Sequence, residues 1–254
     1  MVSRARHALL QRARSLRRVP GQPQPGPIAA GEIYFSFSAG QVDFFVLDTR
    51  SHRSPNYEID GPSKSMLGVT QRQALFDWLT SSTAAFKIIV SSVPFHAWAA
   101  KDDAWNGTST GTGAFQTELD TVFDFIRSSQ IADVVLISGD MHWSGVFAHG
   151  AGSGQQVIWE FMSSPIASKL ATARVPDGPE FLYASGQQLA FGLFHVDTRF
   201  ERATLRYELH NASGSLYEIT LASEYDRVPT APWLTAVALG GIGAWAIRRS
   251  RTIS

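Results

Sequence analysis

The chain of 254 residues contains no cysteine, which excludes disulfide bonds and thiolate metal ligands but does not identify a cellular compartment. Charged residues make up only 17% of the sequence, against roughly 25% in an average soluble domain. Their formal sum is zero, so no global field attracts nucleic acid and we expect no nucleic-acid-binding patch. Hydrophobic residues reach 44%, which is enough for a buried core.

The first 31 residues lack both an apolar run and a regular hydrophobic pattern. Arg residues crowd positions 1–18, and a stretch rich in Pro, Gly and Gln follows. Such a composition buries too little apolar surface to fold, so we expect a disordered leader over residues 1–31. A secretory signal would need an apolar core of about seven residues, and Gln11 interrupts the run Ala8-Leu9-Leu10. The Arg content leaves a mitochondrial presequence as the alternative.

Helix and strand patterns alternate from residue 32 onward. Two β-rich runs, 34–37 and 42–47, flank Ala39-Gly40-Gln41 and indicate a hairpin. Thr70 and Gln73 have the spacing of a capping box ahead of an amphipathic helix. Next come a short apolar run at 86–90, a helical stripe over 114–128 and a second apolar run at 132–137.

Strand, helix and strand in this order predict a right-handed parallel crossover. The carboxyl ends of the two strands then share one edge of a sheet, where α/β proteins collect ligands. Further β patterns at 157–161, 191–197, 203–209 and 216–221 predict a second, antiparallel sheet. The fold class that follows is mixed α/β.

The carboxyl terminus has the pattern of a membrane anchor. Residues 231–247 carry no charge, would be about 26 Å long as a helix, and precede Arg248, Arg249 and Arg251. We therefore expect a single transmembrane helix, with the basic flank cytoplasmic and the globular part lumenal or extracellular. The sequons at Asn106 and Asn211 favour this location and predict a glycoprotein. A buried core helix is the alternative.

Asp140 and His142 are the candidate metal ligands. They stand one residue apart on a Gly-led loop that leaves the second apolar run. Carboxylate oxygen and imidazole nitrogen suit Zn, Mn or Fe. The motif alone is short, and an ordinary turn is the alternative interpretation.

Seven segments, in order along the chain, resemble the PhoD-like metallophosphatase family. They are 34–40, 42–53 (VDFFVLDTRSHR), Met66-Leu67-Gly68, Trp78-Leu79, Ser92-Val93-Pro94, 103–107 and 136–144 (LISGDMHWS). The resemblance runs from about residue 34 to 221 and corresponds to the carboxyl-terminal half of a typical member. It implies a PhoD-like phosphatase domain over residues 32–225, built as part of a two-sheet αββα sandwich.

The same resemblance implies a phosphomonoesterase or phosphodiesterase that holds calcium and iron, with a phosphoester as substrate. Asp140 and His142 match the family's late metal-ligand motif and are expected to be catalytic. Arg50 is a candidate for binding phosphate, or alternatively for a salt bridge with Asp48 or another carboxylate. His96 is a candidate general acid, with a packed loop histidine as the alternative, and Trp105 is expected to line the substrate pocket.

The family's earlier metal ligands have no counterpart before Tyr34. We therefore expect the set of metal ligands to be incomplete in this chain and its activity to be lowered or lost. A missing amino-terminal half with a signal peptide would also reconcile the predicted topology with the unsuitable leader. The competing interpretation is a non-catalytic, membrane-anchored, truncated paralogue that binds a partner through an exposed apolar face.

Overall fold

The computed structural model describes residues 28–96, 104–105, 114–167, 169–174 and 178–224, and the backbone of two more strands at 234–238 and 245–249. These residues form three layers, which are a pair of helices, a seven-stranded sheet and a five-stranded sheet. One apolar cluster joins the helices to the larger sheet. A second cluster lies between the two sheets. The mixed α/β prediction is confirmed.

The larger sheet has the strand order β1-β2-β3-β4-β6-β5-β7. Its strands are β1 (Phe35–Ala39), β2 (Val42–Val46), β3 (Phe86–Val90), β4 (Val134–Ser138), β5 (Ser144–His149), β6 (Ile158–Met162) and β7 (Phe181–Ser185). The predicted hairpin β1–β2 is confirmed, with Gly40 in the left-handed region at φ 63°. Strands β2, β3, β4 and β6 run parallel, which confirms the predicted crossover.

Two helices, α1 (Gly68–Ser81) and α2 (Gln116–Ser128), connect the parallel strands. The expected buried face of α1 is present, because Leu75 and Leu79 are buried. The capping-box prediction is wrong. Helix α1 begins earlier than expected, and its first N–H, that of Gly68, donates to Ser65 Oγ at 2.7 Å.

Adjacent residues on the central strands enter opposite cores. Phe45, Ile89 and Leu136 pack on the helix side. Phe44, Ile88 and Val135 pack between the sheets. This is the alternation that a strand with a period of two imposes, and it explains why these strands read as continuous apolar runs rather than as alternating patterns.

The smaller sheet is antiparallel, as predicted, and has the order β10-β9-β8-β11-β12. Its strands are β8 (Phe191–Asp197), β9 (Thr204–Asn211), β10 (Gly214–Ala222), β11 (Leu234–Ala238) and β12 (Trp245–Arg249). One assignment was wrong, because the run at 157–161 does not open this sheet. It forms β6, which lies beside β4 in the larger sheet and is apolar because both of its faces are covered.

The predicted transmembrane helix at 231–247 is also wrong, because the described parts of this segment are strands. β11 pairs with the open edge of β8, and β12 pairs with β11. Gly240, Gly241 and Gly243 lie between them and weaken a helix by about 1 kcal/mol each. Among the described residues, no helix is both long and apolar enough to span a bilayer. The lumenal or extracellular location stays a prediction.

Several predictions fall wholly or partly outside the described residues. Residues 1–27 of the predicted leader are among them, as is the sequon residue Asn106. Residues 28–31 form a turn, and the Ile28 N–H donates to Tyr34 O, beyond the turn, at 3.3 Å. Asn211 donates its side-chain amide to Gln188 Oε1 at 2.7 Å, and its glycosylation stays a prediction.

Substitution of Phe161 tests the contact between the two sheets. It is fully buried, and its ring centroid lies 4.3 Å from that of Tyr207 and 5.4 Å from that of Phe194. We expect Phe161→Ala to lower the free energy of unfolding by about 3–5 kcal/mol, because it removes apolar contacts and leaves a cavity. Urea denaturation monitored by circular dichroism measures this change.

Phe200→Ala is the matched control. Phe200 is 63% exposed, so its removal should change the free energy of unfolding by no more than about 0.5 kcal/mol. Equal effects of the two substitutions would contradict the packing of Phe161 between the sheets.

Candidate functional site

The parallel strands bring polar side chains to one edge of the larger sheet. Asp48 and Thr49 follow β2, Ser91 and Ser92 follow β3, and Ser138 ends β4. Thr49 Oγ1 and Ser92 Oγ share a hydrogen bond of 2.5 Å, which ties two of these loops together. This is the edge at which the sequence predicted ligand binding.

Asp140 and His142 lie on the loop from β4 to β5. Both adopt the left-handed backbone conformation, with φ 73° at Asp140 and 62° at His142. Non-glycine residues rarely adopt this region, although Asp and His are among those that tolerate it best. The conformation costs on the order of 1–3 kcal/mol per residue, and such strain clusters at functional sites.

Packing around this loop holds it in place. Met141 and Trp143 are buried in a third apolar cluster that also contains Phe147 and Met162. Asp140 and His142, which alternate with these two residues along the chain, are only half-buried, so neither is sealed in the core. The carbonyl oxygen of His142 also accepts the Ala171 N–H at 3.0 Å. The loop is therefore anchored by its apolar residues and keeps its two polar side chains within reach of solvent.

A buried carboxylate connects the loops of this edge. Glu160, on β6, is fully buried. Its Oε1 accepts hydrogen bonds from Ser138 Oγ at 2.5 Å and from the Phe95 N–H at 2.9 Å. Its Oε2 lies 2.9 Å from His149 Nε2. The carboxylate thus joins the end of β4, the loop after β3 and the end of β5.

Burial and hydrogen bonding act in opposite directions on Glu160. Burial by itself raises the pKa of its carboxyl group. The hydrogen bond and the electrostatic interaction with His149, with the hydrogen bonds from Ser138 and the Phe95 N–H, outweigh burial, so the pKa of Glu160 lies below its ordinary value of 4.5. Glu160 is therefore an anion at neutral pH.

His96 lies in the loop after β3, next to this carboxylate. Its ring stacks on that of Phe147 at a centroid distance of 4.3 Å, and its Nε2 is 3.8 Å from Glu180 Oε2. Burial and the charge of His149 lower the pKa of His96 to about 4, with Glu160 and Glu180 opposing that shift. The imidazole is therefore uncharged at pH 7, and the one N–H proton that it keeps is too weakly acidic for efficient general-acid catalysis. The general-acid role stays a prediction, and the burial favours the alternative of a packed loop histidine.

Trp105 and Arg50 have contrasting environments. Trp105 is buried, with its ring 5.5 Å from that of Phe95 and its Nε1 donating to Ser91 Oγ at 3.2 Å. This is the packing of a core residue, and its contact with substrate stays a prediction. Arg50 has an exposed side chain, and its backbone N–H donates to Asp48 Oδ1 at 2.9 Å. Arg50 is therefore positioned at the edge without being buried there.

Among the described residues, three metal-ligating side chains come together at Glu32, Asp48 and His52, where one ligand atom of each lies within 4.8 Å of the others. The sequence reasoning missed this cluster. A usable signal existed, since the predicted hairpin places the entry to β1 beside the exit from β2. Asp140 and His142 are not members of this group, and their role as metal ligands stays a prediction.

The Glu160 contacts predict acid-sensitive stability. Because the pKa of Glu160 is lowered by folding, its ionised form stabilises the fold above about pH 4.5, and this contribution is lost as the pH falls through the folded-state pKa. We expect Glu160→Gln to lower the free energy of unfolding at pH 7 by roughly 1.5–3 kcal/mol, the usual contribution of a hydrogen bond to a charged group. The difference from the unsubstituted protein should shrink below pH 4.5. Denaturant titrations at pH 7, 5 and 4 measure it.

Glu218→Gln is the control for this series, because Glu218 is exposed on β10. We expect it to change stability by no more than about 0.5 kcal/mol at pH 7. A Glu160→Gln protein as stable as Glu218→Gln at pH 7 would contradict the role assigned to the buried carboxylate.

Comparisons of the sequence and of the fold with known proteins both find phosphatases of one family. The family described as PhoD-like phosphatase matches residues 16–210. Alkaline phosphatase D of Bacillus subtilis (strain 168) is 30% identical over 132 residues, which covers 44% of this chain and 21% of that protein. A solved structure of PhoD superimposes with a TM-score of 0.54 at 19% identity, covering 93% of this chain and 47% of that one.

The structural likeness, at this identity, concerns the fold. The chain spans less than half the length of either of these two relatives. The family match covers more than half of this chain and includes the strand edge with Asp140 and His142. The chain belongs to the PhoD-like phosphatase family.

Proposed function

We propose that this chain takes part in metal-dependent hydrolysis of phosphoesters, as a phosphomonoesterase or phosphodiesterase. The observation that carries the proposal is the pair Asp140 and His142, both in strained left-handed backbone at the carboxyl end of β4. Membership of a phosphatase family supplies the reaction class. Backbone strain at such a position persists when the surrounding packing enforces the conformation. Here the buried side chains of Met141 and Trp143 supply this packing.

The donor atoms fit a metal ion. A carboxylate oxygen and an imidazole nitrogen suit divalent or trivalent cations of intermediate hardness, and the absence of cysteine excludes thiolate ligands. Both side chains are half-buried, so neither is sealed away from a cation in solution. A cation takes roughly four to eight ligands, so Asp140 and His142 supply part of its shell. Calcium and iron, implied by the family resemblance, stay a prediction.

A bound cation at such a site lowers the pKa of water and neutralises phosphate charge. The chain's own residues have the tasks of holding and orienting. Asp140 and His142 would hold the cation, and the contact of Ser138 with Glu160 fixes the strand end that carries them. Arg50, exposed at the same edge, has the guanidinium geometry to bind two phosphate oxygens.

Asp140→Ala tests the proposal directly. We expect the full 254-residue chain, supplied with calcium and iron salts, to hydrolyse bis(p-nitrophenyl) phosphate at a low rate, because Asp140 and His142 supply only part of the shell of a cation, in a reaction that a chelator stops. Asp140→Ala should lower the rate by at least about 100-fold, because loss of a direct ligand exceeds the 10–100-fold effect of losing an outer-shell partner. Release of p-nitrophenolate measures the rate.

Asp120→Ala is the matched control, since Asp120 is exposed on α2. It should keep the unsubstituted rate. Hydrolysis that persists unchanged in Asp140→Ala would overturn the assignment of the site. A chain that binds metal through Asp140 and yet hydrolyses nothing would overturn catalysis and support the non-catalytic, partner-binding alternative.

Arg50→Ala tests the phosphate-binding role. We expect it to raise KM by about tenfold while kcat changes less, because a forked hydrogen-bonded ion pair with phosphate is worth roughly 1.5–3 kcal/mol. Arg199→Ala is the control, since the Arg199 guanidinium lies on the other sheet in an ion pair of 2.8 Å with Asp197. An unchanged KM in Arg50→Ala would contradict the role.

A further inference from the structure

Glu32, Asp48 and His52 form a compact cluster of titratable side chains outside the Asp140 and His142 loop. One ligand atom from each lies within 4.8 Å of the other two. His52 Nε2 and Glu32 Oε2 are 2.6 Å apart. The three residues come from separate positions, since Glu32 precedes β1 while Asp48 and His52 follow β2.

The hairpin register explains why they meet. Phe35, the first residue of β1, pairs with Val46, the last residue of β2. The chain just before β1 therefore lies beside the chain just after β2, and this places Glu32 next to Asp48. His52 packs close to the first residue of α1, Gly68. A Cβ atom placed on Gly68 would lie only 3.1 Å from His52 Cβ.

The buried carboxylate of Asp48 is only partly hydrogen-bonded among the described residues. Its side chain is buried, with 4% of its surface exposed. Oδ1 accepts the N–H groups of Arg50 and Ser51 at 2.9 and 3.0 Å. Oδ2 is buried and has no hydrogen-bond partner among the described residues. Leaving a buried carboxylate oxygen without a partner is unfavourable, and a cation at this position would remove the cost.

We propose that Glu32, Asp48 and His52 bind one divalent transition cation, of which Zn²⁺ is the representative. Two carboxylates and one imidazole are a ligand set that Zn²⁺ accepts, with water as a fourth ligand. Bonds of about 2.0–2.2 Å place the ligand atoms of one ion roughly 3–4 Å apart. The 2.6 Å contact between His52 and Glu32 opens by only about 1 Å to reach this spacing.

This site is distinct from the one at Asp140 and His142. Asp48 follows β2 and Asp140 follows β4, and β3 lies between these strands. Two strand spacings amount to about 10 Å between the backbones. Among the described residues, neither Asp140 nor His142 has a ligand atom in the group of three that lies within 4.8 Å. A cation at Glu32, Asp48 and His52 fastens the entry to β1 onto the turn that carries Arg50.

Zinc stoichiometry and affinity test the site independently of hydrolysis. The full chain carrying Asp140→Ala and His142→Ala, so that the other site is removed, should bind one equivalent of Zn²⁺ in isothermal titration calorimetry. Zn²⁺ should also raise its melting temperature. Adding His52→Gln or Glu32→Gln should weaken Zn²⁺ binding by at least about tenfold and abolish the melting shift.

His210→Gln is the matched control, because His210 also pairs with a carboxylate, Glu208, at 2.7 Å but lies on β9. It should leave the stoichiometry and the affinity unchanged. Unaltered Zn²⁺ binding in both His52→Gln and Glu32→Gln, or an equal loss in His210→Gln, would overturn the proposal. Melting curves recorded without metal show that each variant is folded. No phosphoester is present, so failure of the proposed enzymatic function leaves this result unaffected.

Discussion

A single buried negative charge constrains the arrangement of the strand ends. Glu160 is fully buried, and a carboxylate without partners at that depth would cost several kcal/mol. Its partners are Ser138, the Phe95 N–H and His149, from three different segments. Moving any of these segments relative to β6 would leave the charge uncompensated. The loop after β3 and the ends of β4 and β5 are therefore fixed relative to one another.

The loop with Asp140 and His142 belongs to the same arrangement. It leaves β4 at Ser138 and enters β5, whose last residue, His149, returns to Glu160. Strand β6 lies between β4 and β5 in the sheet, so the loop has to cross over the end of β6. A reversal within five residues, 139–143, includes two left-handed residues, and the buried side chains of Met141 and Trp143 stabilise it. Structural constraint and candidate chemistry thus meet in one short segment.

The edge of the larger sheet has two separate collections of ligating groups. Asp140 and His142, the metal ligands that we propose, lie in left-handed backbone after β4, within a chain that belongs to the PhoD-like family. Glu32, Asp48 and His52 stand near the end of β2 and combine three ligands with an unsatisfied buried oxygen. Arg50 lies between Asp48 and His52 in sequence. Its position links the proposed phosphate-binding role to the turn that a second cation would stabilise.

Local pattern was sufficient for part of this protein. The sequence by itself determined the hairpin around Gly40, both helices and the parallel crossover, because periodicity and turn residues act over a few positions. Only the tertiary structure decided that residues 158–162 join the first sheet, that part of 231–247 pairs as strands, and that Glu32 meets His52. It also decided the low pKa of His96, which results from burial by Phe147 and the charge of His149. Strand pairing and burial depend on residues distant in the sequence, and no local pattern carries that information.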